Sequence, residues 1–437
     1  MRMPYRRLAR TGSAVLAALL CAAAAGSCGG STGNQSQGAG HKKTLVVWQF
    51  WSGFAAGLQP LQKRLDAAFE AKYPQYVVND VPISFTQMGT KLTAAIAAGA
   101  GPNIVSVFPG VAGAAYRNGL IPLQSYITAS DRKNWRLLSE AAGPGGSIYS
   151  IPWSEYGYFV YYNKKLFAKA GLNPNVTPTT WQQFIKDCQA LKSHGITALS
   201  GGFKDGYEWE WWAYPLLDQL MSPSVTKSWL QYNYPITSSV FQTVWSYIKG
   251  LAPFYAKDAF GLTLYNDSYN NFYAGKAAMV LDAPLVSNVV ASQKALGTAN
   301  VGVFPVPRLP GSQYPPFVDA GPNSGWGITK WTTDTKGAWN YINFMEGSEA
   351  QNLMWSVGHI IPNNVQSATP TTNPAIQSIL TAIKNPLNHT IYVGFPVSVL
   401  AINERYAGEM ITGRTSTASV LQMMEQLRLQ LRPKIVG

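Results

Sequence analysis

The stretch Thr44-Leu-Val-Val-Trp-Gln-Phe-Trp51 decides the fold that we expect. It is a run of β-branched and aromatic residues that Ser52-Gly53 ends, which predicts a buried strand. An amphipathic helix follows, and strand, helix and strand then alternate up to residue 108. This alternation predicts an α/β fold with a mostly parallel sheet that helices cover on both faces.

A second α/β region begins near Ile151. Thr180-Trp-Gln-Gln183 is a capping box, which predicts a helix that runs to His194. The residues from Val301 to Pro307 predict an extended connector, because proline disrupts both helices and central strands. The chain has 437 residues, which favours more than one domain.

The first residues have the pattern of an export signal. A basic segment from Arg2 to Arg10 precedes a short apolar run, and small residues then lead to Cys28. We expect residues 1–27 to be a signal peptide and 28–43 a flexible, glycine-rich tether. The pattern resembles a bacterial lipoprotein signal, although Ala25 stands where that signal usually has Leu. The resemblance implies lipidation of Cys28 and an extracytoplasmic protein anchored to the membrane. The alternative is an uncleaved N-terminal anchor.

The composition favours recognition of a neutral polar molecule. Only 13% of the residues are charged, against about 25% in a typical domain, whereas the chain has 14 Trp, 23 Tyr and 17 Phe. The formal net charge is +13, but the basic residues do not cluster with aromatic ones, so we expect no nucleic acid partner. The four His and three Cys show no metal-ligand spacing, and we expect neither a metal nor a cofactor.

Several phrases in the chain point to one protein family. They are, in chain order, Ala98–Pro102, Gly119–Leu123, Tyr149–Pro152, Tyr161–Phe167, Ala170–Leu172, Pro178–Trp181 and Phe272–Met279. In this order and spacing they resemble the extracellular solute-binding proteins that include maltose-binding protein. The resemblance covers roughly residues 44 to 431.

The resemblance implies a periplasmic-binding-protein-like fold of type II, with two hinged lobes and a ligand cleft between them. The first lobe would hold residues 44–150 and 310–360, and the second would hold 151–309 and 361–437. Members capture sugars and deliver them to the membrane permease of an ATP-driven (ABC) importer. We therefore expect a monomer that binds a mono- or oligosaccharide and is not an enzyme.

A sugar site needs flat rings against the apolar faces of the sugar and polar side chains for its hydroxyls. On these grounds, and from the positions of the family's cleft loops, we predict the following ligand-binding residues: Trp51, Phe108, Gly110, Trp153, Glu155, Tyr156, Glu208, Trp211, Trp212, Asp282 and Trp326. For Phe108 the alternative is a core position, for Glu155 a surface charge, and for Asp282 a turn cap.

The segment Lys204–Tyr214 is the richest in rings. On a helix, Tyr207, Trp211 and Tyr214 share one face, and Glu208 and Trp212 share the next. One face can pack in the core while the other lines the cleft. The matching segment of the family supplies stacking rings, which favours Trp211 and Trp212.

Two other functions remain open from the sequence. The same fold could bind a phosphorylated polyol or another anion, which requires Arg or Lys side chains in the cleft. A secreted glycoside hydrolase would also use exposed rings, but it requires two carboxylates about 5–9.5 Å apart. Glu208 and Glu210 would diverge on a helix, so they do not form an obvious pair.

Overall fold

A computed structural model describes residues 42–53, 58–283, 286–312, 318–385 and 390–436. The predicted signal peptide, Cys28 and the predicted tether up to residue 41 lie outside the described residues. Within the described part of the chain, no helix has the length and apolar character needed to cross a membrane. The same residues contain no group of three or more His, Cys, Asp or Glu side chains that could hold a metal ion.

The strands alternate with helices over most of the chain. They are β1 (Lys43–Gln49), β2 (Tyr76–Pro82), β3 (Ile104–Val107), β4 (Ile151–Pro152), β5 (Ser154–Gly157), β6 (Phe159–Asn163), β7 (Thr197–Ser200), β8 (Ala277–Asp282), β9 (Val301–Pro305), β10 (Ala320–Pro322), β11 (Gly325–Ile328) and β12 (Ile361–Pro362).

The helices vary from 5 to 20 residues. They are α1 (Leu58–Lys72), α2 (Phe85–Ala98), α3 (Gly110–Ala114), α4 (Ala129–Asn134), α5 (Lys164–Lys169), α6 (Trp181–Ser193), α7 (Glu208–Leu220), α8 (Pro223–Leu230), α9 (Ser239–Lys249), α10 (Tyr269–Tyr273), α11 (Val286–Leu296), α12 (Thr335–Met345), α13 (Ser348–Gly358), α14 (Pro374–Ile383), α15 (Val397–Thr412) and α16 (Thr417–Val436).

The first lobe is built on a five-stranded sheet in the order β2-β1-β3-β11-β4. The first three strands are parallel, as the alternation of strand and helix predicts, and β11 is antiparallel to both of its neighbours. The decisive first stretch forms β1, which ends at Gln49, two residues before Trp51. The Gln49 amide donates to the Ser52 hydroxyl (2.7 Å) and its oxygen accepts from the Ser52 backbone N–H (3.0 Å), which fixes the turn.

The second lobe is built on a four-stranded sheet in the order β7-β8-β6-β9. Here the predicted connector at 301–307 is wrong, because residues 301–305 form strand β9. β9 pairs with β6 and lies at the edge of the sheet, where proline is tolerated since one side of the strand needs no hydrogen-bonded neighbour. The predicted capping box is confirmed: Thr180 and Gln183 each accept a backbone N–H at the start of α6.

A third sheet connects the two lobes. Its antiparallel strands, in the order β10-β5-β12, are the three places where the chain passes between the lobes. β5 follows β4 of the first sheet and precedes β6 of the second, and β10 leads back from β9 to β11. We call it the crossing sheet.

Candidate functional site

Helix α7 presents one aromatic face to a cavity and packs another into the core. Tyr207, Trp211 and Tyr214 line the cavity, which has a volume of about 110 Å³. On the opposite side, Trp209 and Trp212 are fully buried in the second lobe. Trp211 and Trp212 therefore lie on different faces of the helix, with Trp211 on the cavity side and Trp212, also predicted to bind the ligand, on the core side.

The cavity lies between the two lobes and is mainly aromatic. Its described lining residues are Phe85, Phe108, Tyr156, Tyr158, Tyr207, Glu210, Trp211, Tyr214, Tyr265, Ala283, Asn323, Tyr392, Val397, Leu400 and Glu404. Two other hollows are larger, at about 350 and 380 Å³, but no aromatic side chain is among their described lining residues. Because small-molecule sites are typically lined by rings with a few polar groups, the interlobe cavity is the candidate site.

Rings from the two lobes meet at this cavity. Phe85, at the start of α2 in the first lobe, lies 6.3 Å from the ring centre of Tyr207 in the second, at an interplanar angle of 74°. Phe108, directly after β3, lies 4.8 Å from Tyr392 and perpendicular to it. Such edge-to-face pairs are favourable. The structure is therefore a closed arrangement in which aromatic side chains span the cleft.

Further aromatic contacts hold Trp211 in place. Tyr158 follows β5, and its ring lies 6.0 Å from Trp211 and 5.7 Å from Tyr214. Tyr265 lies 6.0 Å from Trp211 and 6.0 Å from Tyr207. A ring supported on several sides loses little conformational freedom when a ligand binds, so Trp211 is a preorganised surface for stacking.

Two carboxylates supply most of the polarity of the cavity. Glu210 accepts from the Tyr214 hydroxyl and from the Asn403 amide, both at 2.9 Å. Burial, and then the nearby Glu404, raise the pKa of Glu210 well above its usual range. Burial, and then Asp205, raise the pKa of Glu404 to about 7.

Tyrosine hydroxyls add further polar groups. Tyr156, on β5, shares a hydrogen bond of 2.6 Å with the Thr390 hydroxyl. The Tyr392 hydroxyl is buried and has no hydrogen-bond partner among the described residues. A buried polar group without a partner is costly, so Tyr392 is a candidate for a bond to a ligand or to water.

Three of the eleven predicted ligand-binding residues line the cavity, namely Phe108, Tyr156 and Trp211. Three others, Trp51, Trp153 and Trp326, pack together in the core of the first lobe. The Trp153 ring lies 5.1 Å from Trp51 and 6.2 Å from Trp326, and its N–H donates to the Ser324 hydroxyl. All three rings are 2% exposed or less, which leaves them almost no surface for a ligand.

The predicted acidic residues lie apart from the cavity lining. Glu155 is buried on β5 and forms an ion pair with Arg136, and burial raises its pKa to about 7 despite that cation. Glu208 accepts the Gly202 backbone N–H at 2.5 Å, and burial raises its pKa to about 8. Asp282 accepts from Tyr269 and, at 3.2 Å, from the Asn288 amide, and burial raises its pKa to about 7.

The two remaining predicted residues have structural surroundings as well. The Trp212 ring N–H donates to the Tyr255 hydroxyl at 2.7 Å inside the second lobe. Gly110 has a φ of +67°, and a Cβ atom there would lie 3.0 Å from the Val393 carbonyl oxygen. Its position requires glycine for the close approach of two backbone segments.

Sequence reasoning did not select most of the cavity residues. Tyr207 and Tyr214 share the helical face of Trp211, so the spacing in α7 contained a usable signal. The other lining residues not selected are Phe85, Tyr158, Glu210, Tyr265, Ala283, Asn323, Tyr392, Val397, Leu400 and Glu404. They come from segments far apart in the chain, and only the fold brings them together.

Comparisons with known proteins agree on the class of protein. A family model described as "Bacterial extracellular solute-binding protein" matches residues 52–352. A solved structure of a chitin oligosaccharide binding protein is similar with a TM-score of 0.79 and 22% identity, covering 90% of this chain and 99% of the other. This likeness confirms the predicted two-lobe α/β fold.

The chain is also similar in sequence to other binding proteins, of which two are described. An uncharacterised ABC transporter extracellular-binding protein of Pyrococcus horikoshii is 20% identical over 444 residues, which is 96% of each chain. The sn-glycerol-3-phosphate-binding periplasmic protein of Brucella abortus is 25% identical over 166 residues, covering 36% of this chain. That match spans only 37% of the length of the Brucella protein.

Proposed function

Because the chain belongs to the bacterial extracellular solute-binding protein family, we propose that it captures a carbohydrate in the interlobe cavity and delivers it to the permease of an ABC importer. The family supports a location outside the cytoplasm. The Pyrococcus relative, which is named as an ABC transporter component, supports the permease as the partner.

The chemistry of the cavity lining is the main support for a carbohydrate ligand. Nine of the described lining side chains are aromatic, and they can cover the C–H faces of a sugar ring. Glu210, Asn323, Glu404 and the Tyr392 hydroxyl can bond to the hydroxyls around its rim. This combination of flat apolar faces and a few polar groups matches a sugar better than a uniformly apolar or ionic solute.

The volume of the cavity favours a small sugar. A cavity needs at least about 10–15 Å³ to hold one water molecule, so about 110 Å³ leaves room for a small ligand. That is comparable to one sugar ring. We therefore propose a monosaccharide as the ligand of the closed form described here.

An anionic ligand such as a phosphorylated polyol is the second candidate, because the Brucella relative is named for glycerol 3-phosphate. The described lining of the cavity contains no Lys, Arg or His side chain. A phosphate would find no cationic partner in this lining, so the cavity favours the carbohydrate.

A glycoside hydrolase remains the alternative from another class, since Glu210 and Glu404 both line the cavity. We propose binding without turnover, because the family consists of binding proteins. Incubation of the protein with oligosaccharides tests this directly. Release of any shorter sugar would contradict the proposal.

We also propose three properties of the rest of the protein. They are the lipidation of Cys28 with membrane anchoring, the monomeric state, and lobe boundaries at 44–150 plus 310–360 and 151–309 plus 361–437. A mass measurement of the mature N-terminus tests the lipid, because acylation would add the mass of the attached chains.

The central test is a thermal-shift screen of sugars, sugar phosphates and polyols, followed by calorimetry on each hit. At a hundredfold excess over Kd, a true ligand stabilises the protein by about 2.7 kcal/mol. Replacing Trp211 by Ala removes a stacking surface and should weaken binding by roughly tenfold to a hundredfold. Trp339→Ala is the matched control, because Trp339 packs on Tyr126 in the first lobe, away from the cavity. If only phosphates stabilise the protein, the carbohydrate proposal fails.

A further inference from the structure

The cavity is acidic although the chain is basic. The sequence has 34 Lys and Arg against 21 Asp and Glu. The cavity nevertheless contains the carboxyl groups of Glu210 and Glu404, and its described lining contains no cationic side chain. An ionised carboxylate there has no cationic residue of the described lining to pair with.

Neutral donors hold the buried carboxyl group of Glu210. The Tyr214 hydroxyl donates to one oxygen and the Asn403 amide to the other, each at 2.9 Å. The residue is only 4% exposed. Neither donor is a cation, so the raised pKa favours a protonated Glu210 unless a cation lies beside it. Buried charges in proteins are usually paired, which leaves room for a cation supplied by a ligand.

Close backbone packing positions Glu404 on α15. Gly206, with a φ of +82°, lies so near this helix that a Cβ atom on it would be 2.1 Å from the Glu404 carbonyl oxygen. The segment before α7 is thereby held against α15. The two carboxyl groups, one on each helix, are close enough that Glu404 helps to raise the pKa of Glu210.

Two tyrosine hydroxyls of the cavity lining also have acidic neighbours. Burial, and then the nearby Tyr265 and Asp205, raise the pKa of Tyr207 above its usual range. Burial, and then Glu210, do the same for Tyr214. Acidic side chains therefore lie near this part of the cavity lining, where an uncharged sugar would not pair with them.

Three rings beside these carboxylates can also receive a cation. Tyr207, Trp211 and Tyr265 form a triangle with centroid separations of 5.8, 6.0 and 6.0 Å, and all three line the cavity. The face of an aromatic ring attracts a cation, and Trp does so most strongly. The buried Tyr392 hydroxyl, which lacks a partner among the described residues, is an independent sign that a polar ligand group completes the site.

We propose that the sugar captured in this cavity carries an ammonium group, so that the ligand is an amino monosaccharide. The ammonium would lie between the carboxylates of Glu210 and Glu404 and the triangle of rings, while the remaining rings cover the sugar. This inference rests on the proposed carbohydrate function and narrows it to a cationic class.

Calorimetry with matched sugars on the full mature chain tests the inference. D-glucosamine, D-glucose and N-acetyl-D-glucosamine share one ring and differ at a single substituent, and the galacto series repeats the comparison. At about pH 7, where an amine of this kind is largely protonated, the amino sugar of the preferred series should bind at least about tenfold tighter than its two neutral counterparts. Glu404→Gln should reduce that preference to less than about threefold.

Glu349→Gln is the matched control, because it removes the same charge from an exposed position at the start of α13. It should leave the preference unchanged. If Glu404→Gln does not fold, the comparison of ligands on the unchanged protein still decides the question.

Three results would overturn the inference, and they separate it from the proposed function. If neutral sugars bind as tightly as amino sugars, the charge is not recognised, but the protein is still a sugar receptor. The same conclusion holds if Glu404→Gln and Glu210→Gln both keep the full preference. If choline binds while no sugar of either kind does, the cationic group is recognised without a sugar, and the carbohydrate function fails as well.

Discussion

The contact between Phe85 and Tyr207 should contribute measurably to closure of the lobes. The ring of Phe85 also packs on Phe50 and Phe108 of its own lobe, at 5.4 and 5.8 Å. Tyr207 packs on Trp211 in the other lobe at 5.8 Å. The 6.3 Å pair thus connects an aromatic cluster of each lobe, and opening of the cleft would break it.

The size of the effect follows from the geometry of the pair. An edge-to-face aromatic pair contributes about 0.5–1.5 kcal/mol beyond its buried area. Its loss would shift the equilibrium between closed and open forms by roughly twofold to thirteenfold. If the open form predominates without ligand, the apparent Kd rises by the same factor, because fewer molecules are competent to hold the ligand.

A double-mutant cycle isolates this contact from any contact of Tyr207 with the ligand. Calorimetry would compare the unchanged protein, Phe85→Leu, Tyr207→Leu and the double variant, using the sugar that gives the largest thermal shift. We expect a coupling of about 0.5–1.5 kcal/mol. Phe50→Leu is the control, since Phe50 packs on Phe85 within the first lobe. Additive effects of the two substitutions would refute a role of this pair in closure.

Two further predictions concern stability. Gly206→Ala should destabilise the fold by about 2–4 kcal/mol, because it adds strain at a φ of +82° to a clash with the Glu404 backbone. Gly413→Ala is the control, and it should cost about 1 kcal/mol, because Gly413 has a φ of +75° but lies in open space. Chemical denaturation measures both costs, and equal values would exclude the clash. The native state keeps a proton on Glu208 up to a pKa of about 8, whereas the unfolded chain releases it near 4.5. The free energy of unfolding should therefore fall as pH rises between these values, by at most about 1.4 kcal/mol per pH unit. Glu208→Gln should flatten this slope in denaturation series at pH 5 to 8, and an unchanged slope would assign the pH dependence to other groups.

Local patterns in the sequence predict the local structure well. The Thr180 and Gln183 side chains lie one turn apart, so their capping box can be recognised without any tertiary information. Helical spacing likewise places Trp211 and Trp212 on different faces, although it does not show which face lines the cavity. Both predictions depend only on residues within a few positions of each other.

The position of a ring relative to the cleft depends instead on distant residues. Trp51, Trp153 and Trp326 come from three segments that meet in one core, and no local pattern distinguishes that arrangement from a cleft. Tyr392 and Glu404 reach the cavity from the last fifty residues of the chain, well beyond the family phrase Phe272–Met279. Such long-range contacts are set by topology, which periodicity does not encode.

The crossing sheet has a consequence for the kinetics of capture. Tyr156 lies on its central strand, at the pivot of any lobe rotation, whereas Phe85 and Tyr207 lie on separate lobes. A residue at the pivot hardly moves when the cleft opens, so Tyr156 can receive a ligand before closure. Substitutions there should change the association rate, and substitutions of the two moving rings should change the residence time. Uptake speed and retention could then evolve separately within one small cavity.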